Sequence, residues 1–169
     1  MFHSPRFLIP AFFLFLLLSY SGYSQRSATA TFTASVTVIE PIEIHTTSEM
    51  NFASIDARNG GTVILKPDNT RTGIGDVFLG DASGVSAAAF EINGQSGYSF
   101  NLSLPEGAFI LVNDKENIII KDFTSDLKTR NLVAGTQIVR LGATLEISSN
   151  QGPGVYSSPT PIEITVNYN

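Results

Sequence analysis

Apolar and polar residues alternate along most of the chain after residue 25. In the first such run, residues 28–38, hydroxyl side chains separate six apolar ones: Ala28, Ala30, Phe32, Ala34, Val36 and Val38. Successive side chains of an extended chain point to opposite faces, so a period of two places these six on one face. The pattern predicts a β-strand with one apolar face, interrupted at Pro41, which cannot donate to a sheet ladder.

Further alternating runs follow at short intervals, separated by turn residues. Residues 88–92 and 98–104 flank Asn93 and Gly94, a pair suited to positive φ, and predict an antiparallel hairpin with a shared buried face. Other predicted strands cover residues 63–65, 77–79, 109–112, 118–120, 138–147 and 162–168. The one stretch considered for a helix is 124–130, which is too short to be stable without tertiary support. Many short strands separated by turns predict an all-β, immunoglobulin-like antiparallel β-sandwich.

The first 24 residues have the pattern of a cleaved signal peptide. A segment carrying Arg6 precedes a twelve-residue apolar run at 7–18, and small or polar residues follow up to Ser24. A membrane anchor is the alternative, but twelve helical residues span about 18 Å of a hydrocarbon core about 30 Å thick. We expect the mature chain, residues 25–169, to be a single domain without a membrane span. Its expected location is the periplasm, the cell surface or the extracellular space.

Composition excludes several classes of function. The chain has 10 lysines and arginines against 15 aspartates and glutamates, a net charge of −5, which argues against nucleic acid as a partner. It contains no cysteine, which excludes disulfides, thiolate metal sites and cysteine nucleophiles. Apolar residues make up 43% and charged residues 15%, which favours a folded domain over a disordered chain.

Candidate catalytic residues are few. Once the signal is removed, His45 is the one histidine left, at the end of a predicted strand, where we expect it to be solvated. Two carboxylate pairs lie close in sequence, Glu40 with Glu43 and Asp122 with Asp126. Both are interpreted as surface charge rather than as an acid–base pair. We therefore expect no catalytic residue, no cofactor and no enzymatic activity.

Several turns carry oxygen-bearing side chains of the kind that bind calcium, so a calcium site is an alternative to a chain without metal. They are Asp68, Asn69, Asp76 and Asp81. Their spacing does not match a calcium-binding helix-loop-helix, and turn formation explains Asx residues at such positions without an ion. We therefore predict no metal site.

A set of segments resembles an uncharacterised family of secreted bacterial β-sandwich domains, which is similar to the spore-coat-protein-U type of chaperone-usher pilins. The segments are residues 89–94, 97–105, 142–145, 154–156 and 162–168. The resemblance implies that each subunit lacks one strand. A periplasmic chaperone fills the gap first, and the amino-terminal extension of the next subunit then replaces it.

On this resemblance, two segments of the chain are assembly strands. Residues 28–38 are the donor strand, and the terminal strand that pairs with the chaperone carries Ile162, Ile164, Val166 and Tyr168. The implied role is structural or adhesive at the cell surface, as a fimbria-like subunit in a homopolymer. The alternative is a self-contained secreted binding module, for example for carbohydrate, whose first and last strands complete its own sheets. The chain has no tryptophan to form an aromatic sugar platform.

Overall fold

The computed structural model describes residues 26–114 and 116–169, and the predicted signal peptide lies outside this part. The chain divides after Thr37 into two units, of which the second, Val38–Asn169, is compact. Nine strands are found in the described residues, all in the second unit: β1 (Glu43–Ser48), β2 (Ile55–Leu65), β3 (Arg71–Leu79), β4 (Ala88–Asn93), β5 (Phe100–Ser103), β6 (Phe109–Asn113), β7 (Glu116–Ser125), β8 (Thr136–Ile147) and β9 (Thr165–Tyr168). No helix occurs among these residues and the strands pair antiparallel, which confirms the all-β prediction.

The long strand β8 organises the larger sheet, in which the strand order is β1-β4-β8-β2-β3. Its first half pairs with β4 up to Leu141, and its second half pairs with β2 from Ala143 onward. A Cβ atom at Gly142 would collide with the carbonyl oxygen of Leu65. Glycine at this position therefore lets β8 change partners within one strand. On its opposite edge β8 pairs with β7, which pairs with β6.

Two hydrophobic clusters form the core. One packs the small β5-β9 sheet against β1, β4 and the first half of β8, and its buried members are Ile92, Phe100, Leu132, Val139 and Leu141. The other lies on β2, β7 and the second half of β8, and its buried members are Phe52, Val63, Leu65, Ile118, Ile120, Ala143, Leu145 and Ile147. Alternation along each strand supplies these inward faces, as expected for two packed sheets of a β-sandwich.

The predicted hairpin of residues 88–92 and 98–104 is wrong. β4 pairs with β1 and β8, whereas β5 pairs with β9 in the other sheet. The connecting backbone bonds elsewhere: the Gly94 amide donates to the Gly135 carbonyl at 2.9 Å, and the Gly97 amide donates to the Leu132 carbonyl at 2.7 Å. The connection therefore crosses between sheets, although Phe100 does share a core with β4, as predicted.

Two other sequence-based expectations also differ from the structure. Residues 26–42 contain no strand, and the side chains of Phe32, Val36 and Val38 are 91%, 86% and 87% exposed. An alternating pattern fixes the two faces of a strand but does not supply the neighbour with which it must pair. The stretch 124–130 is not helical: Thr124 and Ser125 end β7, and the Asp126 amide donates to the Arg140 carbonyl.

Candidate functional site

A groove of about 1060 Å³ opens onto the hydrophobic core of the second unit. Core side chains of β7 and β8 line it, among them Ile118, Ile120 and Leu145. Each of these three residues is at most 9% exposed. The groove thus reaches the layer that a β-sandwich normally fills with side chains of its own strands.

Three stretches of chain form the walls of the groove. They are residues 49–58, which include the start of β2, residues 151–158, and the segment of Pro161, Ile162 and Ile164. A smaller adjoining cavity of about 240 Å³ lies between β1 and residues 162–164, and Thr46, Phe90, Ile162 and Ile164 line both cavities. The groove therefore separates the first strand of the second unit from the segment that leads into its last strand.

The strands beside the smaller cavity each have an unpaired edge. Among the described residues β1 pairs with β4 alone, and β9 pairs with β5 alone. The predicted terminal strand at 162–168 is observed only from Thr165, so Val166 and Tyr168 lie in β9 while Ile162 and Ile164 line the groove. Unpaired edges beside a groove that reaches core side chains are the features that accept an added strand.

Tyr168 fixes the point where the chain enters β1. Its hydroxyl accepts a hydrogen bond from the Gln95 amide at 2.6 Å and donates one to the Glu40 carbonyl at 2.8 Å. The Glu40 amide in turn donates to the Gln95 side chain at 3.3 Å. A Cβ atom at Gly94 would collide with the Tyr168 hydroxyl, so glycine is required there for close approach rather than for a hairpin turn.

Arg71 of β3 holds the wall that contains Phe52. Its guanidinium donates to the carbonyls of Phe52 and Ser54, and on its other side to those of Gly80 and Asp81 at 2.7 Å each. This planar group therefore reinforces the junction just beyond the Ile55–Leu79 strand pair, where the Gly80 amide also donates to the Ser54 carbonyl at 3.0 Å. This role of Arg71 could not be predicted from the sequence, because the acceptors are backbone atoms.

Glu116, the first residue of β7, binds the wall formed by residues 151–158. Its Oε2 accepts hydrogen bonds from the Gly152 amide at 2.6 Å, the Tyr156 hydroxyl at 2.8 Å and the Gln151 side chain at 3.0 Å. These bonds, that from Tyr156 first, hold the pKa of the Glu116 carboxyl below its usual value because they favour the charged form. Desolvation is the main cause that raises the pKa of Tyr156. This cluster was not predicted either.

The carboxylates and histidine singled out in the sequence are surface or turn residues. His45 is exposed, with Nε2 3.4 Å from the Glu43 carboxylate. Asp126 accepts a hydrogen bond from the Arg140 amide at 2.8 Å and therefore supports β8. Asp122 has φ of 53° at the irregularity of β7 beside Lys121.

The four turn residues considered for calcium are each bonded to other protein groups. Asp68 accepts from Thr70, and Asp81 from Ser83; in each case these bonds are the leading causes that lower the carboxyl pKa. Asn69 accepts from the Ala87 amide, and Asp76 from the Asn59 side chain. Within residues 26–114 and 116–169, no three acidic or histidine side chains are grouped so as to hold a metal ion. In the same part of the chain, no helix has the length and apolarity needed to cross a membrane.

Fold and groove together define a class of protein, an antiparallel β-sandwich with a groove between its first strand and the segment that leads into its last strand. Residues 42–168 match the family model described as a domain of unknown function (DUF4402), and the chain belongs to that family. No curated protein and no solved structure matches the chain. The match begins at Ile42, so the apolar segment 28–38 lies outside it.

Proposed function

We propose that this protein is an exported structural or adhesive subunit of the cell surface that assembles by strand exchange. In this proposal, residues 28–38 of one copy occupy the groove of the next. The observation that carries it is the presence, in one chain, of a groove that reaches the core and of an alternating segment with exposed apolar side chains. The role requires no catalytic residue, metal or cofactor.

The chemistry of the two parts is complementary. An extended segment can add its backbone to a free strand edge while alternate side chains enter apolar pockets. If four of the six apolar side chains become buried at about 1.5 to 3 kcal/mol each, the gross gain is about 6 to 12 kcal/mol, an upper bound. Since small domains have a total stability of about 5 to 15 kcal/mol, filling the groove would be a major part of subunit stability.

The segment and the groove are different surfaces, so their association is heterologous. Head-to-tail contacts of this kind generate open chains of subunits unless the rotation closes a ring. A fimbria-like homopolymer is therefore the expected assembly. A periplasmic chaperone that lends a strand to the same groove would protect the open core before assembly, because exposed apolar edges promote aggregation.

Engineered cysteines can test the exchange directly, because the chain contains none of its own. The protein is purified after export, and mass spectrometry of its amino terminus checks for the predicted cut after Ser24. Chains carrying Ala34→Cys alone are mixed with tagged chains carrying Ile164→Cys alone and then oxidised. Chains carrying Ala30→Cys or Val36→Cys are mixed and oxidised in the same way, because the position of the segment along the groove decides which cysteine comes close to Ile164→Cys. Thr33→Cys, on the opposite face of the segment, is the matched control.

A mixed disulfide dimer from at least one apolar-face position, and none from Thr33→Cys, is the expected result. A doubly substituted chain should then form a ladder of multimers on a non-reducing gel. If it instead forms only an internally linked monomer at every concentration, the segment fills its own groove and the self-contained binding module is the better assignment. Absence of any disulfide between segment and groove would rule out both arrangements.

A further inference from the structure

The groove wall at residues 151–156 has features of a movable element. It follows β8 and connects Asn150, whose amide donates to the Arg58 carbonyl, with Ser157, which exchanges two backbone hydrogen bonds with Val112. Between these two anchors, residues 151–156 make no backbone-to-backbone hydrogen bond within the described part of the chain. Backbone that lacks such bonds is held by its side-chain contacts and opens at low free-energy cost.

Those contacts converge on Glu116. The carboxylate is the acceptor for the Gly152 amide and for the side chains of Gln151 and Tyr156. A further bond at 3.5 Å joins the Asn113 side chain to the Pro153 carbonyl. One charged group therefore receives most of the donors that fix this loop, and hydrogen bonds to a charged acceptor are stronger than neutral ones.

Two glycines allow the loop to lie directly against the β6–β7 turn. A Cβ atom at Gly152 would lie 2.8 Å from a carboxylate oxygen of Glu116, and one at Gly154 would collide with the Asn113 side chain. The loop therefore lies in close contact with the ends of the Glu116 and Asn113 side chains.

The loop also places an aromatic ring in the groove. Tyr156 packs against the core cluster that lines the groove, whereas its neighbour Val155 is 85% exposed. The ring covers apolar surface that an inserted strand would otherwise cover. A strand that extends along this wall must therefore displace Tyr156 or stop beside it.

We propose that residues 151–156 form a gate whose closed position is held by Glu116, and that release of this contact sets the rate at which the groove captures a strand. This inference rests on the proposed function, because it concerns the same groove. The titratable group that the gate brings to Glu116 is Tyr156, whose raised pKa keeps it neutral at ordinary pH.

The test compares exported full chains carrying Glu116→Gln, Tyr156→Phe or the matched control Glu146→Gln. Glu146 forms an ion pair with Lys121 and does not line the groove. Hydrogen exchange of residues 151–156 reports gate opening. Fluorescence anisotropy with an excess of a labelled synthetic peptide of residues 26–39 reports the rate of strand capture. Tyr156→Phe keeps the ring and removes only the hydroxyl, so it remains informative if Glu116→Gln folds poorly.

Both gate variants should increase loop exchange and capture rate by about tenfold, the effect of one charge-assisted hydrogen bond, while Glu146→Gln behaves like the unmodified chain. Faster exchange with an unchanged capture rate would overturn the gate, and so would unchanged exchange. If no chain captures the peptide although the gate variants exchange faster, the proposed function fails. The Glu116 contact is then structural only.

Discussion

Single side chains that bond to backbone carbonyls shape the groove at the residue scale. Arg71 donates to four carbonyls in two stretches, including those of Phe52 and Ser54 in the groove wall. Lysine carries the same charge but cannot present two nitrogens in a fixed plane. We expect Arg71→Lys to lower the free energy of unfolding by about 2 to 3 kcal/mol, measured by urea denaturation.

A second arginine provides the control for this prediction. Arg58 pairs with the Asp56 carboxylate at 3.2 Å and lies 5.2 Å from the centre of the Phe78 ring, with half of its side chain exposed. Contacts of this exposed kind contribute about 0.2 to 1 kcal/mol, so Arg58→Lys should have a small effect. If both substitutions lower the free energy of unfolding by the same amount, the carbonyl contacts of Arg71 contribute no more to stability than the exposed contacts of Arg58.

At the scale of strands, alternation in the sequence predicts where strands lie and which face is buried, but not which strands pair. The strands predicted at 118–120 and 138–147 lie within β7 and β8, whereas the hairpin across Gly94 was wrong, because the Gly94 amide bonds to Gly135 instead. The groove wall shows the same limit. Glu116 meets Gly152 and Tyr156 across 36 and 40 positions, and no local pattern reports such a contact.

The contact between β7 and the loop at 151–156 predicts a dependence of stability on pH. Because the folded chain lowers the pKa of Glu116 below its usual value of 4.5, the charged form is favoured by folding. Its stabilisation is complete above pH 4.5 and is lost as pH falls through the folded-state pKa. Urea midpoints from pH 7 to pH 3 should therefore differ between the unmodified chain and Glu116→Gln at neutral pH, and the difference should shrink below pH 4.5.

The carboxyl pKa values of Asp68 and Asp81 are also lowered in the folded chain. Protonation of these two groups will therefore reduce the folding stability of both chains in the same acidic range. The quantity that matters is thus the difference between the chains, not the fall in either midpoint. Glu146→Gln serves again as the control for removal of one negative charge. A difference between the unmodified chain and Glu116→Gln that is as large at pH 3 as at pH 7 would show that the carboxylate charge does not hold the loop.

At the scale of the whole molecule, the proposed assembly depends on one face of the segment 28–38. Phe32 is the one aromatic residue among its six apolar side chains, and Thr33 points to the opposite face of the same extended run. Phe32→Asp would place an unpaired carboxylate against the core side chains of the groove and remove a side chain worth about 1.5 to 3 kcal/mol when buried. Thr33→Asp adds one negative charge, as Phe32→Asp does, but directs it to solvent.

Sedimentation velocity at increasing protein concentration should show multimers for the unmodified chain and for Thr33→Asp, but only monomers for Phe32→Asp. A loss of about 4 kcal/mol or more weakens association by about a thousandfold, which moves assembly outside the accessible concentrations. Both variants should retain a cooperative unfolding transition, since Phe32 is 91% exposed in the separate chain. Equal inhibition by both substitutions would point to charge rather than to a buried face, and equal assembly of all three chains would mean that another surface joins the subunits.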